Sequence, residues 1–223
     1  MKKTIWKMAH PAFRRSGFTL IELLVVISII GILLGVTLPL VGRAVARSRE
    51  AQCSSQIRQL ALGALSYARD HRGRMPPLGG ATNFVEHLTD YVGTATTART
   101  SVWRCPADNR AGVVVSYGVN RLHLSAAEAT NGWALARIQT PTRVVMMADS
   151  GGAAGPVWDL VFDASAAPKE VGVEFRHGSA RGNQSVPAGS AAVFGKSRAN
   201  FAFYDGHVEG LPVHSLTVTN WYE

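Results

Sequence analysis

The sequence predicts an α+β chain, in which one long N-terminal α-helix packs against a small antiparallel β-sheet head. Three observations lead there. Phe18 to Val41 is an apolar run of about 24 residues, long enough to cross a bilayer. Cys53, Ile57, Leu60, Ala64 and Tyr67 then recur at steps of four, three, four and three, which is one face of a helix. Beyond Gly73 the chain changes to short strand-like runs separated by Gly and Pro. The expected divisions are a leader at 1–17, a membrane or bundle-core helix at 18–41, an amphipathic helical spine at 42–72 and a globular α+β head at 73–223. No internal repeat or second head domain is visible.

The leader carries Lys2, Lys3, Lys7, Arg14 and Arg15 and no acid. The formal charge of +8 comes from 23 basic and 15 acidic side chains, and removal of residues 1–17 leaves 18 basic side chains and a charge of +3. That balance gives no reason to expect a nucleic-acid partner. Five positives before the apolar run hold that end in the cytoplasm. Arg43, Arg47 and Arg49 follow the run without reversing the bias, so the head is expected outside the inner membrane. A secretory signal would have a shorter apolar core followed by a small-residue cleavage site. A plain uncleaved anchor would leave the string S-G-F-T-L-I-E without a use.

Glu22 is the only charge in the run, flanked by Ile21, Leu23 and Leu24. A carboxylate at that depth is costly and calls for a partner. Gly31 and Gly35 have the small-xxx-small spacing that lets helices approach closely. Pro39 removes a backbone donor and kinks or loosens the turn before it. The helix is expected to continue to about His71, for a length of roughly 80 Å at 1.5 Å per residue.

In the head, Asn83 is expected to cap a short helix through Tyr91 that Gly93 closes. Val113–Val119, Arg143–Ala148 and Val171–Arg176 read as strands. NFAFYDGHVEGL, residues 200–211, reads as a hairpin with Asp205-Gly206 as a two-residue turn. Residues 178–199 are rich in Gly, Ser and Ala and read as a loop. Trp103, Trp133, Trp158 and Trp221 are expected in the core.

The segment GFTLIELLVVISIIGILLGVTLP, residues 17–39, resembles the N-terminal signal of type IV pilins and type II secretion pseudopilins. The resemblance implies cleavage between Gly17 and Phe18 by a prepilin peptidase, N-methylation of Phe18, and assembly with other pilins into a filament. Glu22 would then meet the new Phe18 amine of a neighbouring subunit, each charge removing the cost of burying the other. Pro39 would mark a turn that melts during assembly. The chain would begin as a single-pass inner-membrane protein, head outside, and end in a periplasmic or cell-surface filament. The segment suits pilus and secretion pseudopilus alike, with a lean to the pseudopilin side; a minor pilin or tethered ligand-binding module is the alternative.

The head has its own resemblance. SYARDHRGRMPP, VWRCPAD, SYGVN, RVVMMADS, RHG and NFAFYDGHVEG follow in order. They are similar to prepilin-like proteins with a C-terminal H-x-D-G processing-associated region. His177 stands much further before Asp205 than that form implies, so the loop between them has been lengthened.

Cys53 and Cys105 are expected to pair as a disulfide in an extracytoplasmic compartment; two separate buried thiols are the other reading. Neither has a close C-x-x-C partner to suggest zinc. Asp149, His177, Asp205 and His207 are the best polar group: if the sheet brings them together they could hold a cation such as structural calcium. The plainer reading of Asp205 and His207 is turn chemistry. Ser150 beside Asp149 lacks the G-x-S-x-G context of a hydrolase nucleophile, and no Walker or H-E-x-x-H motif is present. The sequence therefore reads as a structural subunit, a substrate of processing enzymes and not an enzyme itself, with no cofactor of its own.

Overall fold

The computed structural model describes residues 18–79, 84–121, 124–150, 159–160, 173–174, 176–178, 197–212 and 215. The leader with Gly17, the cap at Asn83, Trp158, Trp221 and nearly all of loop 178–199 lie outside these residues. The chain divides into two compact units, Met1–Arg43 and Ala44–Glu223.

Helix α1 runs unbroken from Leu20 to Asp70, with Pro39 inside it. Its described residues in the first unit are all exposed, among them Leu20, Ile21, Ile32 and Leu38. This is the stretch apolar and long enough to cross a membrane. Its hydroxyls are satisfied within the helix: Ser28 donates to the Leu24 carbonyl and Thr37 to that of Leu34, the usual arrangement where no water is at hand.

In the second unit, α1 buries Cys53, Ile57, Leu60, Ala61, Gly63, Ala64, Tyr67 and Ala68. The predicted stripe is therefore the buried face, widened by small residues. Gly63 permits the closest approach: a Cβ there would lie 2.4 Å from Cγ1 of Val92, at the end of helix α2, Phe84–Val92. Arg72 (φ 55°) and Gly73 (φ 77°) end α1, and the Gly73 N–H donates to the Ala68 carbonyl. Gly93 (φ 84°) ends α2 with a bond to the Thr89 carbonyl. These left-handed residues satisfy carbonyls that the helix ends leave open. A third helix, α3 at Ala126–Asn131, opens on a capping box in which the Ser125 side chain accepts from the Glu128 N–H while Glu128 accepts from Ser125. The S-x-x-E string is its sequence signature.

The sheet comprises β1 (Tyr117–Asn120), β2 (Val145–Asp149), β3 (Asp159–Leu160), β4 (Arg198–Phe203) and β5 (Val208–Pro212), in the order β3-β1-β2-β4-β5. β1, β2, β4 and β5 pair antiparallel, as the sequence predicts; the two-residue β3 adds a parallel edge beside β1. All five residues of β2 are buried, so both faces of this central strand are covered. That is why it reads as an unbroken apolar run with no alternation. Two expectations are corrected in extent. The first strand starts at Tyr117, because Val113–Ser116 serves instead as a connection whose Ser116 N–H bonds the Trp103 carbonyl. Of the expected strand at Val171–Arg176, the described part makes one bridge, Val173 with Ser150.

The hairpin also differs from the expected two-residue turn. The Gly206 N–H donates to the Phe203 carbonyl and the Phe203 N–H to that of His207, with Gly206 at φ 87°. The loop is thus Tyr204-Asp205-Gly206, a turn followed by a left-handed glycine. Tyr204 forces the longer loop: its ring is 2% exposed in the core and its N–H bonds the Val144 carbonyl.

Candidate functional site

Two places concentrate polar chemistry: the head's interior and the start of α1.

In the head, the disulfide joins Cys53 of α1 to Cys105, 52 residues on. Both are fully buried, and of the two readings the pairing is the one realised. Tyr117 of β1 reaches over Cys53, donating to its carbonyl at 3.3 Å and to Gln56 Oε1 at 2.8 Å. Burial pushes the Tyr117 phenol well above its usual range, and the Asp149 charge adds to the effect. His177 packs against the bridge, its Nε2 being 3.9 Å from Cys105 Sγ and 3.2 Å from Asp149 Oδ2. Asp149 ends β2. Its Oδ2 also accepts from the Asn200 backbone N–H at 2.7 Å and from Asn200 Nδ2 at 3.1 Å. Its Oδ1 is buried with no hydrogen-bond partner among the described residues.

Beside this group lies a charged knot. Arg176, with its side chain fully buried, holds Asp108 Oδ2 at 3.2 Å and Glu174 Oε2 at 2.5 Å, and donates to the Ser150 and Ser116 carbonyls. Arg110 grips the same Asp108 through Nε at 3.0 Å and Nη2 at 2.6 Å, and the Ser116 hydroxyl donates to Asp108 Oδ2 at 2.7 Å. The set carries two guanidinium and two carboxylate groups. Burial pushes the Glu174 carboxyl up, by more than Arg176 and Arg110 pull it down. A buried ion cluster of this kind stabilises little in itself, but removing one member strands the others.

The four residues named as a cation group do not meet. Asp149 and His177 form one buried pair near Asn200. Asp205 and His207 form another beyond Phe203, which is opposite Val145. Val145 and Asp149 are the two ends of β2, about 13 Å apart at 3.3 Å per residue. The outer pair performs turn chemistry: Asp205 Oδ1 accepts from the His207 N–H and ring, and the ring stacks on Phe203 at 4.2 Å. Burial alone would raise the Asp205 carboxyl, but these bonds from His207 hold it below its ordinary value.

Asp108, Arg110, Ser116, Glu174, Arg176 and Asn200 were not singled out from the sequence. The signal available was a set of short strings, CPAD, SYGVN, ADS, RHG and NFAF, each with at least one polar residue that the fold buries.

At the start of α1, Thr19 and Glu22 form a second capping box. Glu22 Oε2 accepts from the Thr19 N–H and hydroxyl at 2.8 Å each, and the Glu22 N–H donates to Thr19 Oγ1 at 3.3 Å. The string T-L-I-E carries this pattern too. Glu22 thus has a local partner in the uncleaved chain.

Residues 13–38 match the family described as the prokaryotic N-terminal methylation motif. The chain is 31% identical over 155 residues to "Fimbrial protein Q" of Moraxella bovis, an alignment that covers 69% of this chain and 90% of that protein. No solved structure shows a significant match. A methylation motif on a long apolar helix, a small disulfide-bonded head and a fimbrial relative across most of the chain point to a structural protein, and the chain belongs to the type IV pilin-like family.

Proposed function

We propose that this protein is a filament subunit, made as a membrane-anchored precursor, cleaved after Gly17 by a prepilin peptidase, methylated on the Phe18 amine and polymerised with other pilins through α1. The observation that carries the reading is the first stretch of α1. From Leu20 to Val41 it offers Leu, Ile and Val side chains on all sides, each about half exposed or more. Such a surface is stable only in lipid or against other copies. The bilayer can hold it before assembly and neighbouring helices afterwards.

Glu22 marks the exchange. In the precursor it caps α1 through Thr19. Cleavage makes Phe18 a cationic terminus next to that cap, and in a bundle the carboxylate of one subunit can take the amine of the next. The fimbrial name of the Moraxella relative favours a pilus-like filament; a type II secretion pseudopilus uses the same chemistry.

The test is mass spectrometry of the chain co-expressed with a prepilin peptidase, beside a Gly17→Ala variant. The expected product lacks residues 1–17 and carries one extra methyl on Phe18, and the variant stays intact. An intact wild-type leader, or a cut beyond Val41, overturns the reading.

A further inference from the structure

We propose that, when its two cysteines are reduced, the head binds one zinc ion through Cys53, Cys105, His177 and Asp149. The disulfide and the zinc site would be alternative states of the same four side chains.

The argument is geometric. Cys53 Sγ, Cys105 Sγ and His177 Nε2 lie within 4.8 Å of one another, and all three residues are buried. A tetrahedral zinc with Zn–S of about 2.3 Å and Zn–N of about 2.05 Å sets sulfur and nitrogen about 3.6 Å apart, and nitrogen and a carboxylate oxygen about 3.3 Å apart. The spacings found are 3.9 Å from His177 Nε2 to Cys105 Sγ and 3.2 Å from Nε2 to Asp149 Oδ2. His177 Nε2 is thus already at a coordination distance from one sulfur and from one carboxylate oxygen, each on a different chain segment. Cys53, on the rigid α1, supplies the fourth donor once the sulfurs part.

The supporting groups are also in place. Asp149 Oδ2 is oriented by two bonds from Asn200. Its Oδ1 is a buried oxygen without a partner among the described residues, which leaves the carboxylate spare capacity. Two thiolates and an imidazole select zinc; calcium prefers an all-oxygen shell. The zinc charge cancels that of the two thiolates, so with a neutral His177 imidazole the exchange adds no net charge to a dry interior.

The chemistry balances simply. Two electrons from a thiol or phosphine reductant break the S–S bond and leave two thiols. Zinc takes both sulfurs, releases their two protons and replaces any proton held between His177 Nε2 and Asp149 Oδ2. A disulfide oxidant that removes two electrons from the thiolates re-forms the bridge and expels the metal. The site is closed to solvent, so zinc enters as the reduced chain folds. A chain exported before its cysteines are oxidised would then have a metal-held core in place of an unfolded one.

The experiment uses the full chain in detergent micelles, unfolded and reduced with a phosphine under anaerobic conditions, refolded with zinc alone, then freed of excess metal. Zinc per chain is read by elemental analysis, its ligands by X-ray absorption and the fold by near-ultraviolet circular dichroism. The expected result is one zinc per reduced chain, two sulfur and two nitrogen or oxygen ligands, and none in the oxidised chain. His177→Ala should weaken binding by about 100-fold or more and Asp149→Asn by about 10–100-fold. No zinc in the reduced chain, whether it refolds or not, overturns the proposal. So does equal binding by the oxidised chain, or an absorption spectrum without imidazole. The spectrum of the wild-type chain decides the matter even if His177→Ala does not fold.

Discussion

Removing the covalent link between Cys53 and Cys105 tests how the head is held on its helix. The bridge closes a span of 52 residues between α1 and the segment before β1. The chain-entropy relation for a loop of that size gives about 4 kcal/mol at 25 °C. For a unit the size of Ala44–Glu223, that is a fall in melting temperature of roughly 8–16 °C. The perturbation is Cys53→Ala with Cys105→Ala, followed by near-ultraviolet circular dichroism on heating, with chelator present so that no metal replaces the bridge. Reductant added to the wild type is the control. It cuts the same link but keeps both sulfur atoms in the core, so any excess loss in the double variant measures their packing. A fall of under about 3 °C for the reduced wild type, less than 1 kcal/mol or so, would refute the reasoning. It would mean that the helix and sheet hold each other through packing and that the unfolded chain keeps these segments together without the link.

Two further outcomes follow from local geometry. Gly132 sits at φ 75°, ψ 156°, a region nearly closed to other residues, and a Cβ there would lie 2.3 Å from the Met75 carbonyl oxygen. Gly132→Ala should cost at least about 3 kcal/mol, read as a lower denaturation midpoint, because the clashing atom is backbone and cannot swing aside; a near-neutral change would contradict the packing of residues 74–79 on residues 129–135. Glu128 is held down to about 2 from 4.5 by the Ser125 backbone and hydroxyl and by Arg137. Its folded value is depressed, so the stability it gives is complete above pH 4.5 and disappears as pH falls to about 2. Ser125→Ala should lower the melting temperature by a few degrees at neutral pH and by less near pH 2, where the hydroxyl's bond to the carboxylate is lost but its cap on the Glu128 N–H remains; an equal shift at both would show that the carboxylate is not the agent.

Periodic features were legible in the sequence. The stripe Cys53–Tyr67, the closing Gly93 and the strands around MMAD and NFAF are local patterns, and local patterns survive folding. The hairpin was legible in place but not in form, because Asp205-Gly206 invites a two-residue turn and the burial of Tyr204, a tertiary effect, lengthens the loop. β3 escaped because a two-residue parallel edge leaves no pattern. The capping boxes at Thr19–Glu22 and Ser125–Glu128 were legible in principle. Glu22 was read for its depth in an apolar run and as a partner for a neighbour's Phe18 amine, so its local partner Thr19 went unseen.

The buried polar knot shows most plainly what sequence order conceals. CPAD contributes Asp108, SYGVN contributes Ser116, ADS contributes Asp149 and Ser150, RHG contributes Arg176 and His177, and NFAF contributes Asn200. Arg176 and Asp108 are 68 positions apart, and no periodicity links such a pair. Met in space, the strings explain one another. Ser116, Asp149 and Asn200 lie next to apolar positions that the core needs, Tyr117, Ala148 and Phe201, so they are carried inside and must find partners there. Arg176 meets this demand for two carboxylates and two carbonyls at once. Arg176 Nε alone in the knot is a buried polar atom without a partner among the described residues, and the rest is the chemistry of a clamp between segments. The His177–Asp149 pair is different: it keeps a carboxylate oxygen without a partner, against two sulfur atoms. If the head has chemistry beyond holding its shape, it belongs to that pair and the bridge beside it.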